Sequence, residues 1–123
     1  MTKARGFHLS EPTDDELDIA LIDLDDTLAH GTWHPKQTKS VIGEPIWENI
    51  DKLIVLALDG KHIRIWTARP WAEENMIRAW LIHNDIPFDS ILCGKPLCSV
   101  MIDDKARNAS DPSWQPVTRA RVA

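Results

Sequence analysis

A chain of 123 residues with 43% hydrophobic and 27% charged side chains has the size and balance of one globular domain with a single core. Its net charge of −5 argues against a general nucleic-acid binder, which needs a basic face to displace counterions. No apolar run approaches the ~20 residues of a membrane helix. The opening MTKARGFHLSEPTDDELD holds no signal-peptide core, so the cytoplasm is the expected location. Cys93 and Cys98 lack CxxC spacing and read as small buried apolar residues in a reducing compartment, not a zinc site.

Residues 1–17 are polar and acidic and read as a flexible N-terminal arm; residues 18–123 read as a single domain whose tail, from about 107, is irregular. IALIDLD is an apolar run without alternation, the pattern of a strand covered on both faces. Residues 28–43 carry Gly31, Pro35 and Gly43 and read as an extended loop. EPIWENIDKLIVLALDG reads as a helix. Pro45 suits its first turn, Ile46, Ile50, Leu53, Ile54, Ala57 and Leu58 mark its buried face, and Gly60 ends it. HIRIWTA is a second strand. RPWAEENMIRAWLIHND is a second helix, with Glu73 and Glu74 in its first turn, Met76, Ile77, Trp80 and Leu81 facing inward, and Asn84 closing it. SILCG and SVMIDD are third and fourth strands, joined by KPLC, too short for a crossover helix.

Strands alternating with helices predict a parallel sheet, and working residues of such sheets gather at the carboxyl ends of the strands. Those ends carry Asp23 and Asp25, then Thr67, then Lys95, then Asp103 and Asp104. Each has a plainer alternative: Thr67 could cap the following helix, Lys95 could be a solvated loop lysine, and an aspartate could cap a turn at Lys105. Asp23, Asp25 and Asp26 are nonetheless crowded. Two like unit charges ~4 Å apart repel by ~4 kcal/mol at an effective dielectric of ~20, a cost a divalent cation would offset. Trp47 and Trp80 sit on helix faces and read as core. Trp33 and Trp71 lie in or beside loops near the predicted active edge, where substrate contact and packing are both open.

The four ordered segments, DLDDT at 23–27, WTARP at 66–70, GKP at 94–96 and MIDDKA at 101–106, resemble the four motifs of the haloacid dehalogenase (HAD) superfamily. The match spans roughly residues 18–106. IWTARPW and GKPLCSVMIDDKA are also similar to small bacterial and phage members called capsule-biosynthesis phosphatases. The resemblance implies a Rossmann-like three-layer α/β sandwich of strand order 3-2-1-4, strand one being central. It implies a phosphatase with Asp23 as nucleophile forming an aspartyl-phosphate and Asp25 as general acid, then base. Thr67 and Lys95 would hold the phosphoryl oxygens, and Arg69, Trp33 and Trp71 would line the substrate. Mg²⁺ would sit among Asp23, the Asp25 carbonyl, Asp103 and Asp104. At Asp26 many members carry Gly, so no catalytic role is assigned there.

Only about forty residues separate the first two motifs, so no cap domain is expected. The implied substrate is a small phosphomonoester, a nucleotide or sugar phosphate; oligomers remain open. Alternatives are a polynucleotide 3′-phosphatase, against which the negative charge weighs, a receiver-like phosphoacceptor signalling domain, and a non-catalytic interaction module. A receiver carries its phosphorylated aspartate after a later strand and lacks the second aspartate that promotes hydrolysis.

Overall fold

In the computed structural model, which describes residues 12–37 and 40–111, three of the four apolar runs form strands. They are β1 (Ile19–Asp23), β2 (His62–Trp66) and β3 (Ser90–Leu92), all parallel, in the order β1-β2-β3. Ile22 stands opposite Ile65, and Ile65 opposite Ile91. Helix α1 (Trp47–Leu58) links β1 to β2, and α2 (Glu74–His83) links β2 to β3. The α/β class read from the sequence is borne out. Among the described residues no helix is long and apolar enough to cross a membrane.

Both crossovers advance the sheet in the same direction, so right-handedness puts both helices on one face. Side chains alternate along a strand, and that face carries Ala20, Ile22, Ile63, Ile65 and Ile91. These join Ile50, Leu53, Leu56, Ile77 and Leu81 in one core cluster. The other face carries Ile19, Leu21, Asp23, His62, Arg64, Trp66, Ser90 and Leu92. No helix of the described residues covers it, and Leu21 is 49% exposed.

Two expectations therefore change. The described residues make two layers, not three, and β1 is an edge strand, not a central one. The segment 99–104 forms no strand, and Val100, Met101 and Ile102 are exposed. Three consecutive apolar residues need cover on both faces to offset the ~1–2 kcal/mol of ordering entropy per residue, and among the described residues one face has no covering helix.

Helix boundaries follow local chemistry. The Glu44–Ile46 backbone is taken up by pairing with residues 28–30, so α1 starts at Trp47 rather than Glu44. It ends in a Schellman arrangement: Gly60 N–H donates to Ala57 O and Lys61 N–H to Leu56 O, both at 3.1 Å, with Gly60 at φ +93°. Leu58, expected in the core, is 84% exposed. It lies five residues beyond Leu53, about 140° round the helix at ~100° per residue. Trp47, also expected in the core, occupies the first helical position and is 53% exposed. Helix α2 is preceded by a 3₁₀ turn over Trp71–Glu73 and closed by Asn84, as the sequence suggests.

The expected arm, residues 1–17, falls partly outside the described residues. The part within them is tied down: Thr13 and Glu16 form a capping box around the 3₁₀ turn Asp14–Glu16. Asp14 takes the Arg64 guanidinium in a fork at 2.9 and 3.1 Å. Of the tail expected from about 107, residues 107–111 are described and have no helix or strand; the remainder lies outside.

Candidate active site

The chain leaves β1 through a tight turn in which the Leu24 carbonyl accepts from the N–H groups of Thr27, Leu28 and Ala29 at 2.8–3.2 Å. Asp26 takes the left-handed conformation, φ +62°, that the turn demands. Aspartate tolerates this region better than most residues, and Thr32 Oγ1 donates to Asp26 Oδ2 at 2.6 Å. The turn is fastened to α1 by the Asn49 side-chain amide, which donates to the Thr27 carbonyl at 2.8 Å. Asp23 and Asp25 are thus presented together at the carboxyl edge of the sheet.

The loop expected over 28–43 has an ordered base. His30 N–H donates to Glu44 O at 2.8 Å and Ile46 N–H to Leu28 O at 2.7 Å. A Cβ on Gly43 would collide with the His30 carbonyl, which is why this position carries no side chain. Trp80 Nε1 donates to Gly43 O at 3.1 Å, pinning the loop to α2. Trp33, on this loop, is half-buried, whereas Trp71 is 52% exposed.

Arg69 differs from its expected role. It is 1% exposed, and its five N–H donors are all engaged. Nε and Nη2 fork onto Asp25 at 2.9 and 2.8 Å, Nη1 donates to Ser40 Oγ and Glu73 Oε1 at 2.9 Å, and Nη2 also reaches Val41 O at 2.8 Å. A guanidinium has five donors, so none is left for a substrate. Arg69 instead fixes the Asp25 carboxylate and ties the 28–43 loop to the α2 side. Ser40 and Glu73 are site residues that sequence reasoning missed. The Arg69–Glu73 spacing of four was a visible signal; Ser40, distant in sequence, had none.

Lys95 approaches from beyond β3. Its backbone N–H donates to Thr67 O at 2.8 Å, and its ammonium lies 3.5 Å from Asp23 Oδ1. Thr27 Oγ1 lies 3.4 Å from the other Asp23 oxygen. Burial raises the Asp23 carboxyl above its ordinary value, opposed by the Lys95 charge and the Leu24 N–H, while Asp25 adds a smaller upward push. Thr67 is fully buried, and its hydroxyl accepts from Arg69 N–H at 3.1 Å. It braces the loop after β2 rather than facing solvent. Cys93 is buried as expected; Cys98 is exposed, against expectation.

Asp103 and Asp104 do not join this group. Both are exposed, and Asp104 pairs with its neighbour Lys105 at 3.2 Å. Among the described residues no three His, Cys, Asp or Glu side chains are grouped to hold a metal. With Asp25 forked onto Arg69 and the last two aspartates elsewhere, this arrangement does not fit the Mg²⁺ shell expected from the motifs, which needs several oxygen ligands. The edge instead has an open carboxylate, Asp23, beside an ammonium, Lys95, with a second carboxylate held rigidly nearby.

No protein-family model matches the chain. No curated protein matches it. Among solved structures, that of a structural-genomics target from Vibrio cholerae is similar, with a TM-score of 0.60 and 28% identity over 76% of this chain and 85% of that one. The likeness agrees with the α/β architecture.

Proposed function

We propose that the chain is a phosphomonoester hydrolase of the haloacid dehalogenase type, acting on a small phosphorylated metabolite. The observation that carries this reading is the Asp23 carboxylate at the end of β1 with the Lys95 ammonium 3.5 Å away, beside an Asp25 locked by Arg69. An Asp23 oxygen attacks phosphorus while the bond to the leaving oxygen breaks, giving an aspartyl-phosphate and an alcohol that takes its proton from Asp25. Water then attacks the aspartyl-phosphate, Asp25 receives the water's proton, and phosphate leaves. Lys95 balances charge on the phosphoryl oxygens. Arg69 is moved from substrate binding to holding Asp25.

Mg²⁺ is left out of this reading, because Asp103 and Asp104 are exposed and do not group with Asp23 among the described residues.

A panel of 4-nitrophenyl phosphate, nucleotides, sugar phosphates and 3′-phosphorylated oligonucleotides tests the proposal. Hydrolysis of a small ester, lost in Asp23→Asn, is expected. Asp25→Asn should accumulate phosphate on the Asp23 peptide, because general acid–base assistance is typically worth ~10²–10⁴-fold. No hydrolysis across the panel, or label on another residue, refutes the reading.

A further inference from the structure

The side chain of Lys95 is aimed by an aromatic ring. Its ammonium nitrogen lies 5.0 Å from the centroid of the Trp66 ring and 3.5 Å from Asp23 Oδ1. Trp66 ends β2 opposite Asp23 in the parallel register, so both stand on the sheet face that no helix of the described residues covers. The backbone on either side is held: Thr67 N–H donates to Leu92 O at 3.0 Å, Gly94 N–H to Arg69 O at 3.0 Å, and Lys95 N–H to Thr67 O at 2.8 Å. Those bonds fix where the Lys95 side chain starts. They do not fix where its four-carbon stem ends.

We propose that Trp66 is a positioning residue for Lys95, its indole face holding the ammonium at Asp23 without consuming any of the three ammonium donors. The attraction comes from the ring quadrupole and acts on the charge as a whole, so the N–H groups stay free for oxygen partners. An acidic residue at 66 would hold Lys95 as well but would neutralise it and occupy its donors. An aliphatic residue would let the stem swing into solvent. With Trp66, the ammonium can serve Asp23 and an incoming anionic oxygen at once. The catalytic meaning of this pairing rests on the phosphatase reading; the pairing itself does not.

The test uses Trp66→Phe, Trp66→Leu, Lys95→Ala and the Trp66→Leu/Lys95→Ala double variant of the full chain. The Lys95 ε-methylene proton resonances, assigned by their absence in Lys95→Ala, should be displaced upfield by the ring current. They should return to ordinary positions in Trp66→Leu and keep part of the displacement in Trp66→Phe. With 4-nitrophenyl phosphate, Trp66→Leu should lose about 2- to 30-fold in kcat/KM, Trp66→Phe should lose less, and Trp66→Leu should add almost nothing once Lys95 is Ala. Methylene resonances at ordinary positions in the wild type, or an equal loss from Trp66→Leu with and without Lys95, would overturn the proposal. A Trp66-dependent displacement without hydrolysis of any phosphomonoester would instead overturn the phosphatase reading and leave the pairing standing. If Trp66→Leu does not fold, Trp66→Phe carries the same comparison through its partly reduced displacement.

Discussion

Replacing Arg69 by Met separates a bolt from a binding residue. The methionine keeps much of the apolar stem but removes all five hydrogen bonds that the guanidinium makes. The Asp25 side chain is 14% exposed and that of Glu73 19%, so water can only partly replace the lost partner. Glu73 keeps its bond from Ser40 Oγ at 2.9 Å, and Val41 lies at the surface, so most of the cost falls on Asp25. Removing one member of a buried ion pair costs about 3–5 kcal/mol. A chain of this length has about 5–15 kcal/mol of stability in total, so Arg69→Met should lower the urea midpoint by a large fraction. Arg69→Lys keeps the charge but cannot fork onto Asp25 while reaching Glu73 and Val41, and should fall between the two. In an Asp25→Asn background the Arg69→Met loss should shrink, since the stranded charge is gone. The Asp14–Arg64 pair has the same forked geometry, but the Asp14 side chain is 72% exposed. Asp14→Asn should therefore leave the urea midpoint almost where it is. A loss below about 1 kcal/mol for Arg69→Met in the same urea titration would refute the assignment of Arg69 as the structural tie of this site.

Three further outcomes follow from the site. Burial lifts the folded-state Asp23 carboxyl above its ordinary value of 3.8, so the folded state binds that proton more tightly than the unfolded state. This contribution to stability is lost as pH rises from the ordinary value through the raised one; Asp23→Asn should unfold at higher urea than wild type near neutral pH and show no such advantage in acid. Gly43→Ala should drive a methyl into the His30 carbonyl, costing about 1–3 kcal/mol and speeding hydrogen exchange at the His30 and Ile46 amides, while exchange at β2 amides stays slow. Asp26→Val, which forces a β-branched residue into φ +62° and removes the Thr32 bond, should cost at least about 1–2 kcal/mol, whereas Asp26→Gly should stay closer to wild type in the same melt.

How far the sequence could be read depended on the range of the interaction. The strands and helices were legible because period-two and period-3.6 patterns are local. The Gly60 stop was legible for the same reason. Asp23, Asp25 and Lys95 could be assigned to one edge because a parallel sheet puts every strand's carboxyl end there. Arg69 could not be assigned, because what decides its role is contact with residues 44 and 29 positions upstream, Asp25 and Ser40.

The two layers of the described residues are a matter of connectivity, which the sequence does carry. Both helices precede any reversal in strand order, and only KPLC separates β3 from the run at 99–104. Among the described residues, a right-handed chain with that connectivity has no helix to lay on the second face. The consequence reaches the site. On a sheet covered by helices on both sides, a tryptophan at the end of the middle strand would be core, and a lysine above it would be excluded. On a one-sided sheet, the same tryptophan is left beside Asp23 on the open face, where its ring can carry a charge. Among the described residues, the connectivity that leaves Val100, Met101 and Ile102 without a covering helix thus also leaves Trp66 and Lys95 on the same open face.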